Sequence, residues 1–204
     1  KIAAIVVVTF GVTVLLFSIG KNKDIGMQAI TVPAGQRVNL ALPDGSKIWL
    51  NAGTTMKYPV SFMTDKREVI LDGEAYFEVA KNEKVPFIVS TPGHSSIKVL
   101  GTRFNVKAYK GNEEVTTTLF EGRVEFEYRN RDNENKNICL IPGQKLIYNS
   151  TEGGAKLYAV SGEDESSWKD GKIEFLHHSL RDALDILSLR FNVDFVINPN
   201  VSTD

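Results

Sequence analysis

Three histidines are the first candidates for chemistry. His94 stands in the turn Pro92-Gly93-His94-Ser95, and His177 and His178 sit side by side far along the chain. A metal centre needs several convergent His, Cys or carboxylate ligands. Histidines in two distant places do not supply them, so no metal and no cofactor is expected. Cys139 is the one cysteine, which rules out an internal disulfide and a multi-thiolate site. Between Ile138 and Leu140 it reads as a buried, inert thiol. Asp182 and Asp185 flank a helical face with Arg181, and such a face is expected to be solvated rather than to work as an acid–base pair. The chain has no H-E-x-x-H, no G-x-S-x-G, no phosphate-binding loop and no C-x-x-C. It is not expected to be an enzyme.

The elements that must position any site begin with an apolar run. Ile2 to Ile19 carries no charge, and Lys1 and Lys21 bracket it. As a helix it would span about 27 Å, close to a hydrocarbon core of ~30 Å. Its length exceeds that of a signal-peptide core, its exit Ser18-Ile19-Gly20-Lys21 lacks a small-residue cleavage pattern, and it has no polar face. Residues 1–21 are therefore expected to form a transmembrane helix. Lys21 and Lys23 against Lys1 would by themselves put the following residues in the cytoplasm. The whole chain has 24 basic and 25 acidic residues, which gives no support to nucleic-acid binding.

After the polar linker Lys21-Asn22-Lys23-Asp24 the apolar residues recur with period two. Ala75, Phe77 and Val79 share one face; so do Phe104, Val106 and Ala108, and so do Val124, Phe126 and Tyr128. Similar runs occur at Arg37–Leu42, Lys47–Leu50, Arg67–Leu71, Phe87–Thr91, Ser96–Leu100, Glu114–Phe120, Asn137–Ile141 and Lys145–Tyr148. Short alternating runs at this spacing predict an antiparallel β roll or sandwich over residues 24–160. An acid–glycine pair precedes strand-like runs at Asp44-Gly45, Asp72-Gly73, Glu121-Gly122 and Asp170-Gly171, and each pair is expected to close a tight hairpin. Pro33-Ala34-Gly35-Gln36-Arg37-Val38 is echoed by Pro142-Gly143-Gln144-Lys145-Leu146. Arg129 to Lys136 reads as an exposed loop, and Ser161 to Ser167 as a linker.

Beyond the linker, Lys172 to Leu176 is strand-like. Ser179 caps a helix with Asp182 at its third position; Leu180, Ala183, Leu184, Leu187 and Phe191 form its apolar stripe, and Asn192 can end it in the left-handed conformation. Val193 to Ile197 reads as a second strand. Residues 168–204 are thus expected to be the first part of a small β-α-β domain, looser than the β domain before it. The fold class expected for the whole chain is mainly β, with an N-terminal membrane helix and the start of a small α+β domain.

Five motifs in order resemble the FecR domain: Leu42-Pro43-Asp44-Gly45-Ser46 with Trp49-Leu50-Asn51-Ala52-Gly53; Leu71-Asp72-Gly73-Glu74-Ala75-Tyr76-Phe77-Glu78-Val79; Val99-Leu100-Gly101-Thr102-Arg103-Phe104-Asn105-Val106; Leu119-Phe120-Glu121-Gly122-Arg123-Val124; and Pro142-Gly143-Gln144. From Trp168 onward the chain resembles the short α+β domain of secretin and TonB-dependent receptor N-termini. The resemblance implies an anti-sigma regulator that crosses the inner membrane once, with residues 24–204 in the periplasm, against the charge count. It implies that this part senses the signalling domain of a TonB-dependent outer-membrane transporter. It also implies control of an extracytoplasmic-function sigma factor through an N-terminal cytoplasmic domain that this chain does not contain.

The resemblance further singles out Gly101-Thr102, since some FecR-type regulators self-cleave at such a bond. The threonine hydroxyl would attack the preceding carbonyl, and glycine has no Cβ to hinder it. A β-bulge or strand bend is the other reading of the same glycine. An alternative for the whole chain is a membrane-anchored periplasmic module that binds a ligand or glycan on exposed aromatics, with Trp49, Tyr58, Phe62 and Tyr76 as candidates. A cupin-like enzyme is disfavoured by the few histidines.

Overall fold

A computed structural model describes residues 9–13, 26–62, 65–160, 164–173, 175 and 179–198. Residues 9–13 are helical. Among the described residues no helix is long and apolar enough to cross a membrane, and most of the expected span Ile2–Ile19 lies outside them.

Among the described residues thirteen strands build two sheets that share one strand. The first sheet runs β1 (Met27–Thr31), β4 (Thr55–Pro59), the first half of β5 (Arg67–Glu78), β6 (Phe87–Thr91), β7 (Ser95–Val99), β10 (Val124–Arg129) and β11 (Asn135–Leu140). The second runs β2 (Val38–Ala41), β3 (Lys47–Leu50), the second half of β5, β8 (Arg103–Ala108), β9 (Glu114–Glu121), β12 (Gln144–Asn149) and β13 (Gly154–Ala159). Neighbours are antiparallel except β5 and β6, where Arg67 faces Phe87 in parallel register. The chain lays hairpins alternately on the two sheets: β2–β3 on the second, β6–β7 on the first, β8–β9 on the second, β10–β11 on the first and β12–β13 on the second. This is the expected roll. The inward faces meet in a common core. Phe77 stacks on Phe104 with ring centroids 4.9 Å apart and meets Phe87 of the other sheet edge-on at 6.2 Å. Ala75, Phe77, Phe104, Val106, Val124 and Phe126 are all buried, as their alternation requires.

Several expectations need correction. Asp72-Gly73 closes no hairpin. It lies inside β5, which pairs with β4 up to Asp72 and with β8 from Gly73 onward. Glu121-Gly122 is a corner between sheets, because β9 and β10 do not pair with each other. Asp170 is the last residue of a 3-10 helix and Gly171 follows it, so of the four pairs only Asp44-Gly45 closes a hairpin. Both echo segments, around Gly35 and Gly143, carry the chain from the first sheet to the second. Cys139 is exposed. On β11, the edge of its sheet, Ile138 and Leu140 turn toward the core and the period of two puts Cys139 on the other side. Strands β1, β4 and β13 carry no clear alternation in sequence.

The tail also differs. Asp164–Asp170 forms a 3-10 helix in place of the expected linker. Helix α1 (Leu180–Phe191) follows Ser179 as expected, and Asn192 ends it at φ 53°. The Val193 amide then donates to the Ser188 carbonyl at 3.2 Å, a six-to-one helix closure. Val193 to Ile197 makes no strand with any of the described residues, and the expected partner Lys172 to Leu176 lies partly outside them. The tail docks on the β domain instead of standing apart. The Gly35 amide donates to the Leu189 carbonyl at 2.9 Å, and a Cβ on Gly53 would lie 2.8 Å from Leu189 Cδ1.

One buried ion pair ties the roll together. Arg67 Nη1 donates to Asp44 Oδ2 at 2.7 Å and to the Ala80 carbonyl at 2.9 Å, and Nε donates to the Val85 carbonyl at 3.0 Å. Ser46 donates to both Asp44 oxygens, from its amide at 3.0 Å and its hydroxyl at 2.7 Å. The Arg67 guanidinium also sits over the Phe87 ring, 5.5 Å from its centroid. Removing one partner of a buried pair strands the other charge. Asp44→Ala should therefore cost about 3–5 kcal/mol in urea unfolding. Adding Arg67→Met should recover a large part of that, because the stranded charge is gone. A double variant no more stable than Asp44→Ala would show that the pair is not what holds this region.

Candidate functional site

Three of the motif segments converge on Glu74. Asn51 Nδ2 donates to Glu74 Oε2 at 2.8 Å, and Asn105 Nδ2 donates to Oε1 at 3.0 Å. The Asn51 side chain turns back to accept the Ala52 amide at 2.9 Å. Thr54 exchanges two bonds with the Glu74 backbone, its hydroxyl donating to the carbonyl and accepting the amide, each at 3.0 Å. Both carboxylate oxygens and the peptide group are thus satisfied, which lets a charged residue sit half-buried in a sheet. Nearby, the Tyr109 hydroxyl donates to the Ala52 carbonyl at 2.9 Å. Burial, and then the negative charge of Glu74, push the Tyr109 phenol well above its ordinary range.

This network reaches the tail. Trp168 Nε1 donates to Asn105 Oδ1 at 3.3 Å, the Trp168 carbonyl accepts from Arg37 Nη1, and the Lys169 ammonium sits over the Tyr76 ring, 5.3 Å from its centroid. The tail covers the outer face of the second sheet here, which explains why Tyr76 and Asn105 are buried although Phe77 and Phe104 point the other way. Sequence reasoning misses this relay. Its one local signal is Trp168, a large aromatic in a polar stretch, which needs a seat for its ring and a partner for its N–H.

Gly101 and Thr102 lie at a corner where the chain leaves β7 of the first sheet for β8 of the second. The corner of Gly122 packs against it: a Cβ on Gly122 would lie 2.7 Å from the Gly101 carbonyl oxygen, and a Cβ on Gly101 would lie 2.7 Å from Lys81 Cα. Two glycines are needed because two backbones approach within the space of a methyl group. Thr102 is buried, and its hydroxyl donates to the Arg123 carbonyl across the corner at 3.2 Å. The Thr102 carbonyl accepts the Val79 amide at 3.0 Å. The ladder between β8 and β9 shifts register between Arg103 and Phe104.

The other candidates do not gather. His94, at φ 60°, sits in the β6–β7 turn, at the opposite end of β7 from Gly101. His177, His178 and the Asp182 side chain lie outside the described residues, and Asp185 is exposed. Among the described residues no three His, Cys, Asp or Glu side chains could hold a metal ion. Nor do the aromatics form an open platform. Tyr76 is buried against Trp49 and Phe120, Phe62 packs on Phe87, and Tyr58 packs on the core.

Residues 28–125 match the FecR protein family. No protein of curated function matches the chain. Two crystal structures of a candidate anti-sigma factor from Parabacteroides distasonis ATCC 8503, at 2.50 Å and 1.65 Å resolution, share this fold. The first is 34% identical, with a TM-score of 0.80 over 88% of this chain and 81% of that one. The second is also 34% identical, with a TM-score of 0.79 over 87% and 81%. The alignments extend well beyond residues 28–125, and the motif residues that meet at Glu74 and at the Gly101 corner lie within that segment. The chain belongs to the FecR family.

Proposed function

We propose that this chain is the membrane-anchored sensing part of an anti-sigma regulator. The observation that carries the reading is the 34% identity to a candidate anti-sigma factor over most of both chains. In this reading residues 1–21 cross the inner membrane, residues 24–160 form the periplasmic β domain, and residues 168–204 begin a second small domain. The periplasmic part receives the signalling domain of a TonB-dependent transporter, and the signal is passed inward to a sigma factor bound by a domain that precedes this chain. The tail supports such a role: Trp168 and Leu189 tie it to the Asn105–Glu74 network and to Gly35, so a partner that pulls on the tail pulls on the second sheet of the roll. The packing of Tyr76, Phe62 and Tyr58 against other side chains counts against the glycan-binding alternative.

The same reading assigns Gly101-Thr102 as a self-cleavage site. The Thr102 oxygen adds to the Gly101 carbonyl carbon and the C–N bond breaks. The hydroxyl proton passes to the freed Thr102 nitrogen, leaving an ester. Water then opens the ester to a Gly101 carboxylate and restores the hydroxyl. The Thr102 hydroxyl donates to the Arg123 carbonyl in the ground state, and glycine puts no Cβ beside the carbonyl to be attacked.

Three measurements test these assignments. Carbonate washing of membranes should leave the protein in the pellet, and its release would refute the anchor. Calorimetry against the signalling domains of TonB-dependent transporters from the same genome should find one that binds; tight binding to a glycan and to none of these domains would favour the alternative. Mass spectrometry of denatured protein should show two fragments, the second starting at Thr102. Thr102→Ala should abolish the cut at a cost of about 1 kcal/mol in stability for one lost hydrogen bond, Thr102→Ser should retain some, and hydroxylamine should speed it. A single intact mass after days at neutral pH would leave Gly101 with only its packing role.

A further inference from the structure

A groove of about 470 Å3 opens between β2 and the end of α1. Arg37, Lys169 and Arg190 bring positive charge to it, and Val38, Trp49 and Phe191 bring apolar surface. Among the described residues no carboxylate lines it. Lys169 is already paired with Asp170 at 2.6 Å, and Arg37 is steadied by the Trp168 carbonyl. Arg190 has neither an ion pair nor a hydrogen bond from its side chain among the described residues. The two guanidiniums face one opening. The point where a Cβ on Gly171 would sit is 3.4 Å from Arg37 Nη2 and 4.0 Å from Arg190 Nη2, so the two guanidiniums are neighbours at the edge of the groove they line. Partial burial, and then the neighbouring Arg37 charge, push Arg190 below its ordinary range. Two like charges held together are a local cost; Asp170, paired with Lys169, offsets part of the Arg37 charge, and an incoming anion would relieve the rest.

The groove also runs beside a free strand edge. β2 pairs only with β3 among the described residues, so its outer backbone groups are open to another strand. Bare edges recruit extended peptides through main-chain hydrogen bonds, while pockets beside them choose the side chains. Here the pocket offers two arginines for a carboxylate, with the Trp49 and Phe191 rings for an apolar neighbour. Guanidinium suits this task, since its planar fork matches a carboxylate with two parallel bonds.

We propose that an extended acidic segment of a partner protein adds to the edge of β2 and places a carboxylate between Arg37 and Arg190. This deepens the sensing role above and rests on it only for the identity of the partner. The probe is a short peptide alternating valine and glutamate, titrated into the 204-residue chain while Trp fluorescence is followed. The glutamate peptide should bind, and its glutamine counterpart should bind about ten-fold or more weakly. Methylating alternate peptide nitrogens should abolish binding. Raising the salt should weaken it, because part of the attraction is screened. Arg190→Gln should weaken the glutamate peptide to a similar degree without lowering the unfolding midpoint, since Arg190 has no partner to lose. Arg190→Lys, which keeps the charge and the fold, should fall between. Equal binding of the two peptides, or no effect of Arg190→Gln, would overturn the proposal. A transporter signalling domain that binds Arg190→Gln as tightly as the original chain would show that the groove is not its seat, leaving the sensing role intact. Binding of the acidic peptide with no transporter domain bound would do the reverse.

Discussion

The architecture depends on one strand serving two sheets at Gly73. β5 gives its first half to β4 and β6 and its second half to β3 and β8. At the change of partners the chain passes so close to Thr54 that a Cβ on Gly73 would lie 2.4 Å from Thr54 Oγ1 and 2.6 Å from its Cα. Glycine at φ 134° removes that conflict;. The Thr54 hydroxyl then takes up the Glu74 amide and carbonyl on the far side. This bend lets Val69 and Leu71 enter the core from one sheet and Ala75 and Phe77 from the other. Every later hairpin extends one of the two halves.

Buried polar groups then fix what the apolar core leaves free. Hydrophobic contacts are non-directional, so they would tolerate many placements of one sheet over the other. The Asp44–Arg67 pair does not, because its oxygens and nitrogens are bonded to Ser46, Ala80 and Val85 at defined points of the β2–β3 turn and the β5–β6 connection. Among the described residues Arg67 Nη2 is buried without a hydrogen-bond partner. The Asn51–Glu74–Asn105 network does the same for the second sheet, and Trp168 extends it into the tail. The groove lined by Arg190 and Lys169 adjoins the segment that Trp168 anchors.

Much of the roll is legible in the chain. Alternation of apolar residues is a local consequence of strand geometry, so the period of two alone assigns Phe77, Phe104, Val106 and Phe126 to the core. The helix from Leu180 to Phe191 is legible from its Ser179 cap, its period and Asn192. The candidate site is legible only in part. Gly101-Thr102 stands out by resemblance. Glu74 and Asn105 look like ordinary outward-facing polar residues, since alternation places them opposite the core.

What the sequence determined by itself is what each residue's neighbours along the chain impose: strand or helix period, caps, and which face is apolar. What only the tertiary structure decided is what covers the other face, and which strand a given strand meets. Asp72-Gly73 and Asp44-Gly45 are the same dipeptide, yet one lies inside a shared strand and the other closes a hairpin. Cys139 keeps an apolar context in sequence and is exposed because the strand turns it to the outer face of β11, which nothing covers among the described residues. Tyr76 and Asn105 are buried because a tail more than sixty residues further on folds back over them. The physical reason is common to all three: backbone period is set within a few residues, whereas burial is set by contacts between residues far apart in the chain.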